Sequence, residues 1–270
     1  MTTWCSTWNL HLNSSKCAAV RFTPSASPPS SLYQVNNQPL VSVTKHKDLG
    51  VIVCANLSWS EHIKFITAKA YRSLHLIRKT FSSHSSSLRL HLYLSLVRSQ
   101  LCYCSQLWRP RLLKDIICLE QIQRRATKFI LCDNFLDYKS RLRSLHLLPL
   151  MHWLEFLDIM FLVKCIQNPQ GNLDVSSFIS FIKSRTRASI SMRLQHNFCC
   201  LSSTRHFYFN RIVLLWNTIP FIDISQPFFT IRRHILNFFW EHFDTVFNPD
   251  IPCTFDIVCP CSNCYSLPHP

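Results

Sequence analysis

The most specific chemistry in this 270-residue chain lies near its carboxy end, where the spacing is Cys253-x5-Cys259-x-Cys261-x2-Cys264, with His269 close behind. Four thiolates so close together can close a tetrahedral zinc site, and the interval between Cys261 and Cys264 is common in zinc knuckles. The single residue between Cys259 and Cys261 is tighter than usual, and no basic residues surround the group. The segment reads either as a structural zinc site or as a loose tail of reduced cysteines. A second candidate is the stretch Lys114 to Leu131. At helical spacing, Leu119, Ile122, Ala126, Phe129 and Ile130 share one side, while Glu120, Arg124, Arg125 and Lys128 share the other. The apolar stripe requires a core. The basic stripe suits either water or a polyanion, and Glu120 four residues before Arg124 predicts a surface pair.

Other chemistries are excluded by composition. Gly50 and Gly171 are the two glycines of the chain. A Rossmann turn, a Walker loop or a nucleophile elbow needs several glycines at fixed offsets, so none can be built. Thirteen histidines are spread through the sequence, yet no spacing supplies the orienting carboxylate of a general base or a Ser–His–Asp arrangement. Tyr71, Tyr103 and Trp108 are candidates for stacking on bases, or equally for the core.

The formal charge is +15, and its distribution is uneven. No acid occurs between Glu61 and Asp115, a span with ten Lys and Arg, and none between Asp174 and Asp223, where six more basic residues lie. After Asp223 the balance reverses. An acid-poor basic body favours a polyanionic partner; the plainer alternative is a solvated surface that aids solubility. The 14 cysteines are spread through apolar helical segments and no signal peptide precedes them, which predicts reduced thiols in an intracellular protein. The apolar window Trp153 to Ile166 is interrupted by Glu155, Asp158 and Lys164, so no membrane span is expected.

These groups must be positioned by elements that change character along the chain. Met1 to Asn13 predicts a short amphipathic helix with Trp4 and Trp8 one turn apart. Lys16 to Phe22, Leu32 to Val35, Gln38 to Val43 and Asp48 to Val53 predict short strands, with a hairpin turn at Asn36-Asn37. From Ser58 the period is helical. Helices are expected over Ser60 to Thr80, Ser87 to Ser105, Lys114 to Leu131, Asp137 to Ser144, Leu150 to Gln167, Val175 to Lys183, Arg205 to Thr218 and Pro227 to Phe247. The fold class is therefore mainly α, a helical bundle with a small α+β piece at the amino end.

Several blocks, in order, resemble the end of the reverse transcriptase of non-LTR (LINE-type) retrotransposons, especially the jockey and chicken-repeat group. Trp4-Cys-Ser-Thr-Trp8-Asn-Leu-His-Leu-Asn13-Ser-Ser-Lys16 is similar to the segment after the polymerase active site, and His46-Lys-Asp-Leu-Gly-Val51 with Leu57-Ser-Trp-Ser-Glu-His-Ile63 to the passage from palm to thumb. Leu92-Tyr-Leu-Ser-Leu-Val-Arg98, Trp108-Arg-Pro110 and Leu119-Glu-Gln-Ile-Gln-Arg-Arg-Ala-Thr-Lys128 resemble later blocks. So do Tyr138-Lys-Ser-Arg-Leu142, Leu147-Leu-Pro-Leu150, Phe209-Asn-Arg211 and Leu215-Trp-Asn217. The resemblance implies a palm remnant (1–55), a thumb-like helical domain (56–170), a C-terminal helical region (171–247) and a Cys/Pro-rich tail (248–270). It further implies phosphate contacts to RNA or an RNA–DNA duplex through Arg98, Arg109, Arg124, Arg125, Lys128, Arg141 and Arg143. Trp216 is expected as a packing anchor and Arg211 as structural.

The family pairs aspartates in its polymerase site to hold two metal ions. No Asp-Asp pair occurs in this sequence. The resemblance thus implies that fingers, most of the palm and any endonuclease lie upstream of Met1, that magnesium belongs only to an intact parent polymerase, and that this fragment holds no catalytic residue or cofactor of its own. A helical interaction module, or a product without function and without a nucleic-acid role, is the competing expectation.

Overall fold

A computed structural model describes residues 2–10, 13–22, 33–35, 37–82, 85–168, 175–182, 193–195, 206–219 and 222–243. The chain divides into two compact units at Phe65/Ile66, a boundary that falls inside a continuous helix.

The first unit is built from short strands, because its apolar runs last only three or four residues before a turn residue intervenes. After helix α1 (Thr2–Thr7), a 3-10 turn (Ser14–Lys16) is capped by Asn13, whose side chain accepts from the Ser15 amide at 3.0 Å. Strand β1 (Ala18–Val20) runs parallel to β4 (Val41–Val43). The expected strand from Lys16 to Phe22 is therefore limited to its middle, where it has a partner. Strands β2 (Gln34–Val35) and β3 (Gln38–Pro39) form the expected hairpin, with Asn37 at φ 60°. Strands β5 (Lys45–Asp48) and β6 (Val51–Cys54) form another hairpin. Here the expected continuous strand from Asp48 to Val53 is corrected: Leu49 (φ 45°) and Gly50 (φ 90°) reverse the chain. Two consecutive positive φ angles make the right-twisting two-residue turn that hairpins favour.

Helix α2 (Ser60–Thr80) follows. Its first turn belongs to the first unit, and there His62 accepts the Ile52 amide at Nδ1 over 3.2 Å. Burial holds the His62 imidazole down to about 4, because the charged ring would lose its water.

Among the described residues of the second unit, the regular structure is helical apart from an isolated bridge between Phe181 and Leu194. Ser85 caps α3 (Ser86–Leu92) through the Leu88 amide. This helix continues as a π-helical stretch (Tyr93–Arg98) and then α4 (Ser99–Cys102). Helices α5 (Ser105–Trp108), α6 (Leu113–Leu131), α7 (Tyr138–Ser144) and α8 (Leu150–Gln167) come next, with Asp137 capping α7 through the Ser140 amide at 3.1 Å. Helices α9 (Tyr208–Thr218) and α10 (Phe228–Glu241) are the last helices among the described residues. The expected helix from Val175 to Lys183 is a 3-10 turn, Val175–Ser177.

Helix α8 is apolar on every side, and α5, α6, α9 and α10 pack around it. A helix with that composition is stable only when enclosed. Leu154, Ile159, Leu162 and Val163 are fully buried, together with Ile122 and Ala126 of α6, Ile212 of α9 and Ile235 of α10. The architecture is mainly α with a small strand portion, as composition and periodicity predict. No helix among the described residues is long and apolar enough to cross a membrane.

Candidate nucleic-acid interface

Helix α6 presents two kinds of polar residue, and only one kind reaches solvent. On its inner side, Glu120 is 1% exposed. The expected surface pair of Glu120 with Arg124 is thus corrected: the carboxylate turns inward, where the Tyr138 hydroxyl donates to Oε1 and the Leu150 amide donates to Oε2 at 2.9 Å. The amide at Leu150 opens α8, whose preceding Pro149 has no side-chain acceptor. Glu120 therefore caps a neighbouring helix and satisfies a donor that would otherwise be orphaned. Gln123 completes this buried network. It accepts from the Tyr93 hydroxyl at 2.8 Å and donates to the Leu148 carbonyl at 2.9 Å. Burial raises the Glu120 carboxyl above its ordinary range, although the bonds from Tyr138 and Leu150 oppose that shift.

A second buried cluster joins α5, α8 and α9. Arg109 donates to Asp158 Oδ2 at 2.9 Å and lies 3.9 Å from Glu155, while Arg211 donates to the same Asp158 oxygen at 3.2 Å. Arg211 also donates to the Gln106 and His206 carbonyls, and Tyr208 donates to the Asp158 carbonyl at 2.7 Å. Arg109 is accordingly a core ion-pair partner and has no surface to offer a phosphate. Trp108 is fully buried with its indole N–H donated to the Tyr103 carbonyl, so it stacks on no base either.

The remaining candidates separate by exposure. Arg125 is exposed and its guanidinium lies 4.9 Å from the Tyr71 ring centroid on α2; Arg124 and Lys128 are half-buried beside it. Arg143 is exposed on α7, 5.4 Å from the Phe243 ring. Arg98 is half-buried and stacked on Trp153 at 4.0 Å, and the loss of water there lowers its affinity for a proton. Arg141 is buried; its Nε donates to Thr127 Oγ1 at 3.2 Å and Nη1 to the Leu136 carbonyl.

Sequence reasoning left out the basic residues of α2. Lys69, Arg72, Arg78 and Lys79 are all exposed, and Lys69, Arg72 and Lys79 recur at spacings that keep them along one line of the helix. Arg78 reaches α6, with its guanidinium 5.9 Å from the Phe129 ring. The acid-free run between Glu61 and Asp115 is the signal that points to them. What sharpens the polarity of the surface is the fate of the acids. Asp115, Glu120, Glu155 and Asp158 are buried, leaving Asp133, Asp137, Asp223 and Glu241 as the acids outside the core among the described residues of the second unit. Asp133, Asp137 and Asp223 accept local backbone amides, at Phe135 and Leu136, Ser140, and Ser225 respectively. Each of these three carboxyls is held below its ordinary range by hydrogen bonds, chiefly from the Leu136 and Phe135 amides for Asp133, from the Ser140 side chain and then its amide for Asp137, and from the Ser225 and Gln226 side chains for Asp223.

No group of three or more His, Cys, Asp or Glu among the described residues is placed to hold a metal ion. The zinc candidates Cys253, Cys259, Cys261 and Cys264 lie outside the described residues. Comparison of the chain with protein-family models, with curated proteins and with solved structures finds no match in any of the three.

Proposed function

We propose that this chain is a thumb-like helical module derived from a non-LTR retrotransposon reverse transcriptase, and that it binds RNA or RNA–DNA duplex through phosphate without reading sequence. The observation that carries this reading is the set of basic residues that α2 and α6 leave outside the core, Lys69, Arg72, Arg78 and Lys79 on α2 and Arg124, Arg125 and Lys128 on α6, with the two helices meeting where Arg125 lies over Tyr71 and Arg78 over Phe129, and no acid between Glu61 and Asp115. Such a set attracts a phosphodiester chain by releasing its counterions, so affinity falls steeply with salt. Tyr71 under Arg125 adds an aromatic surface at the same place. Polymerisation is not part of the proposal, because the sequence lacks the Asp-Asp pair that the resembling enzymes use.

The retrotransposon origin rests on the resembling blocks, and their residues have a physical role in this fold. Arg109 of the Trp-Arg-Pro block and Arg211 of the Phe-Asn-Arg block meet on Asp158. Glu120 and Gln123 hold Leu148 and Leu150 of the Leu-Leu-Pro-Leu block, and Asn217 pairs both of its amide atoms with the Leu194 backbone at 2.9 Å. In this fold, residues of these blocks pin the helical scaffold together.

Filter binding with single-stranded RNA and with RNA–DNA duplex tests the proposal. Affinity is expected to fall by about 10³-fold or more between 50 and 200 mM salt if six phosphates are contacted. The triple variant Arg124→Ala/Arg125→Ala/Lys128→Ala is expected to bind more weakly with a salt slope shallower by roughly 3. Affinity that ignores salt, or a triple variant that binds like the parent, would favour a helical module with no nucleic-acid role.

A further inference from the structure

The connection from α6 to α7 (132–137) carries an aromatic side chain that the fold does not bury. Phe135 is 101% exposed, and Leu136 beside it is 41% exposed. A single apolar side chain on a surface is ordinary; what sets this one apart is how firmly its backbone is held. One carboxylate oxygen of Asp133 accepts both the Phe135 amide, at 2.7 Å, and the Leu136 amide, at 3.0 Å. Arg141, itself buried, donates to the Leu136 carbonyl and, at 3.2 Å, to Thr127 Oγ1 of α6. Asp137 then accepts the Ser140 amide at 3.1 Å and starts α7. A buried guanidinium and two carboxylates thus fix a loop whose aromatic tip gains nothing from burial.

The loop continues directly from α6, where Lys128, one turn before Cys132, is half-buried and Arg125 is exposed. The charges of Asp133 and Asp137 disfavour a phosphate at the tip itself, whereas an aromatic ring takes the π face of any base. A strand lying here is therefore sorted, with phosphates towards the cations of α6 and a base towards the ring. We propose that Phe135 is a stacking platform for one unpaired base of a bound strand whose phosphates are met by Lys128 and Arg125. A ring carried on a fixed backbone loses little freedom when it stacks. The proposal rests on the phosphate-binding reading above and deepens it by naming single-stranded nucleic acid as the substrate class, because a base inside a duplex has no free face to offer.

Fluorescence anisotropy of the full chain with a labelled oligouridine strand, and with a blunt RNA–DNA duplex of matched length, tests this over a salt series. Phe135→Ala is expected to weaken strand binding roughly 5- to 100-fold. Duplex binding should change by less than about twofold, and the salt slope should equal the parent's, because no charge is removed. Phe135→Trp should keep or improve strand affinity, while Phe135→Leu, apolar but without a π face, should lose roughly as much as Phe135→Ala. The ring packs against nothing, so an unchanged Tm accompanies each variant. Strand affinity unchanged in Phe135→Ala, an equal loss on strand and duplex, or full rescue by Phe135→Leu overturns the platform; salt-dependent binding by the parent in those cases leaves the phosphate reading standing and the ring free for an apolar pocket of a protein. A parent that binds neither strand nor duplex overturns both.

Discussion

At the scale of single residues, the buried carboxylates decide what the arginines can do. Asp158 receives both Arg109 and Arg211, so Asp158→Ala leaves Arg211 in the core without that counter-charge and Arg109 with Glu155 at 3.9 Å alone. Its expected cost is about 3–5 kcal/mol in denaturant titration, well above that of a surface carboxylate. Glu120→Ala removes the cap on Leu150 and the acceptor of Tyr138, with an expected loss of about 3 kcal/mol; Glu120→Gln, which keeps an acceptor, should lose less. Two buried groups also make stability depend on pH in opposite senses. The Glu120 pKa is raised in the fold, so its contribution is full below the ordinary carboxyl range and is lost as pH rises through the raised value. The His62 pKa is depressed from 6.5 to about 4. Its unfolded form therefore binds the proton first, and stability falls as pH drops from 6.5 towards 4. Unfolding of the first unit across that window should lose its acid slope in His62→Gln, and an unchanged slope would remove His62 as the cause.

Elements add a second layer of constraint. Leu49 occupies the first position of the β5–β6 turn at φ 45° and is 84% exposed, so it gains no packing for a backbone conformation that branched apolar residues resist. Leu49→Asn is expected to stabilise the hairpin by roughly 0.5–1 kcal/mol, read as a higher midpoint of urea unfolding. Among the described residues β1 pairs with β4 alone, which leaves a short parallel pair with unpaired edges. Concentration-dependent light scattering, reduced by a lysine at exposed Val41, is the expected consequence; scattering indifferent to Val41→Lys would place the cause elsewhere. In the second unit the π-helical stretch Tyr93–Arg98 turns Tyr93 inward to Gln123 and leaves Arg98 on Trp153. A one-residue widening of the helix is a known means of re-aiming side chains, and here it serves a core network.

For the molecule as a whole, the question is where net charge goes after folding. The core of the second unit takes carboxylates and guanidiniums together, and this depletes the acids of the surface far more, in proportion, than its bases. Removing two charges of α2, Arg72→Ala/Lys79→Ala, is expected to weaken strand binding uniformly across sequences and to lower the salt slope by roughly 2. An unchanged slope would confine contact to α6 and exclude α2 from the interface.

Periodicity alone determined that the chain is mainly helical, and it placed α2, α6, α7 and α8 within a residue or two of where they lie, because a core-facing stripe must repeat at the pitch of the helix. The charge runs likewise pointed to a surplus of exposed bases over acids in the helical unit. Which arginines belong to it was a tertiary matter. Arg109 and Arg141 read in sequence like Arg125, yet Arg109 meets carboxylates 46 to 49 residues away in the chain and Arg141 is drawn under α6 by Thr127. Glu120 reads as a surface partner of Arg124 until Pro149 brings an uncapped helix end against it. A buried ion pair or a cap given from one helix to another leaves no local pattern, since its free energy depends on what the fold brings alongside and not on neighbours along the chain.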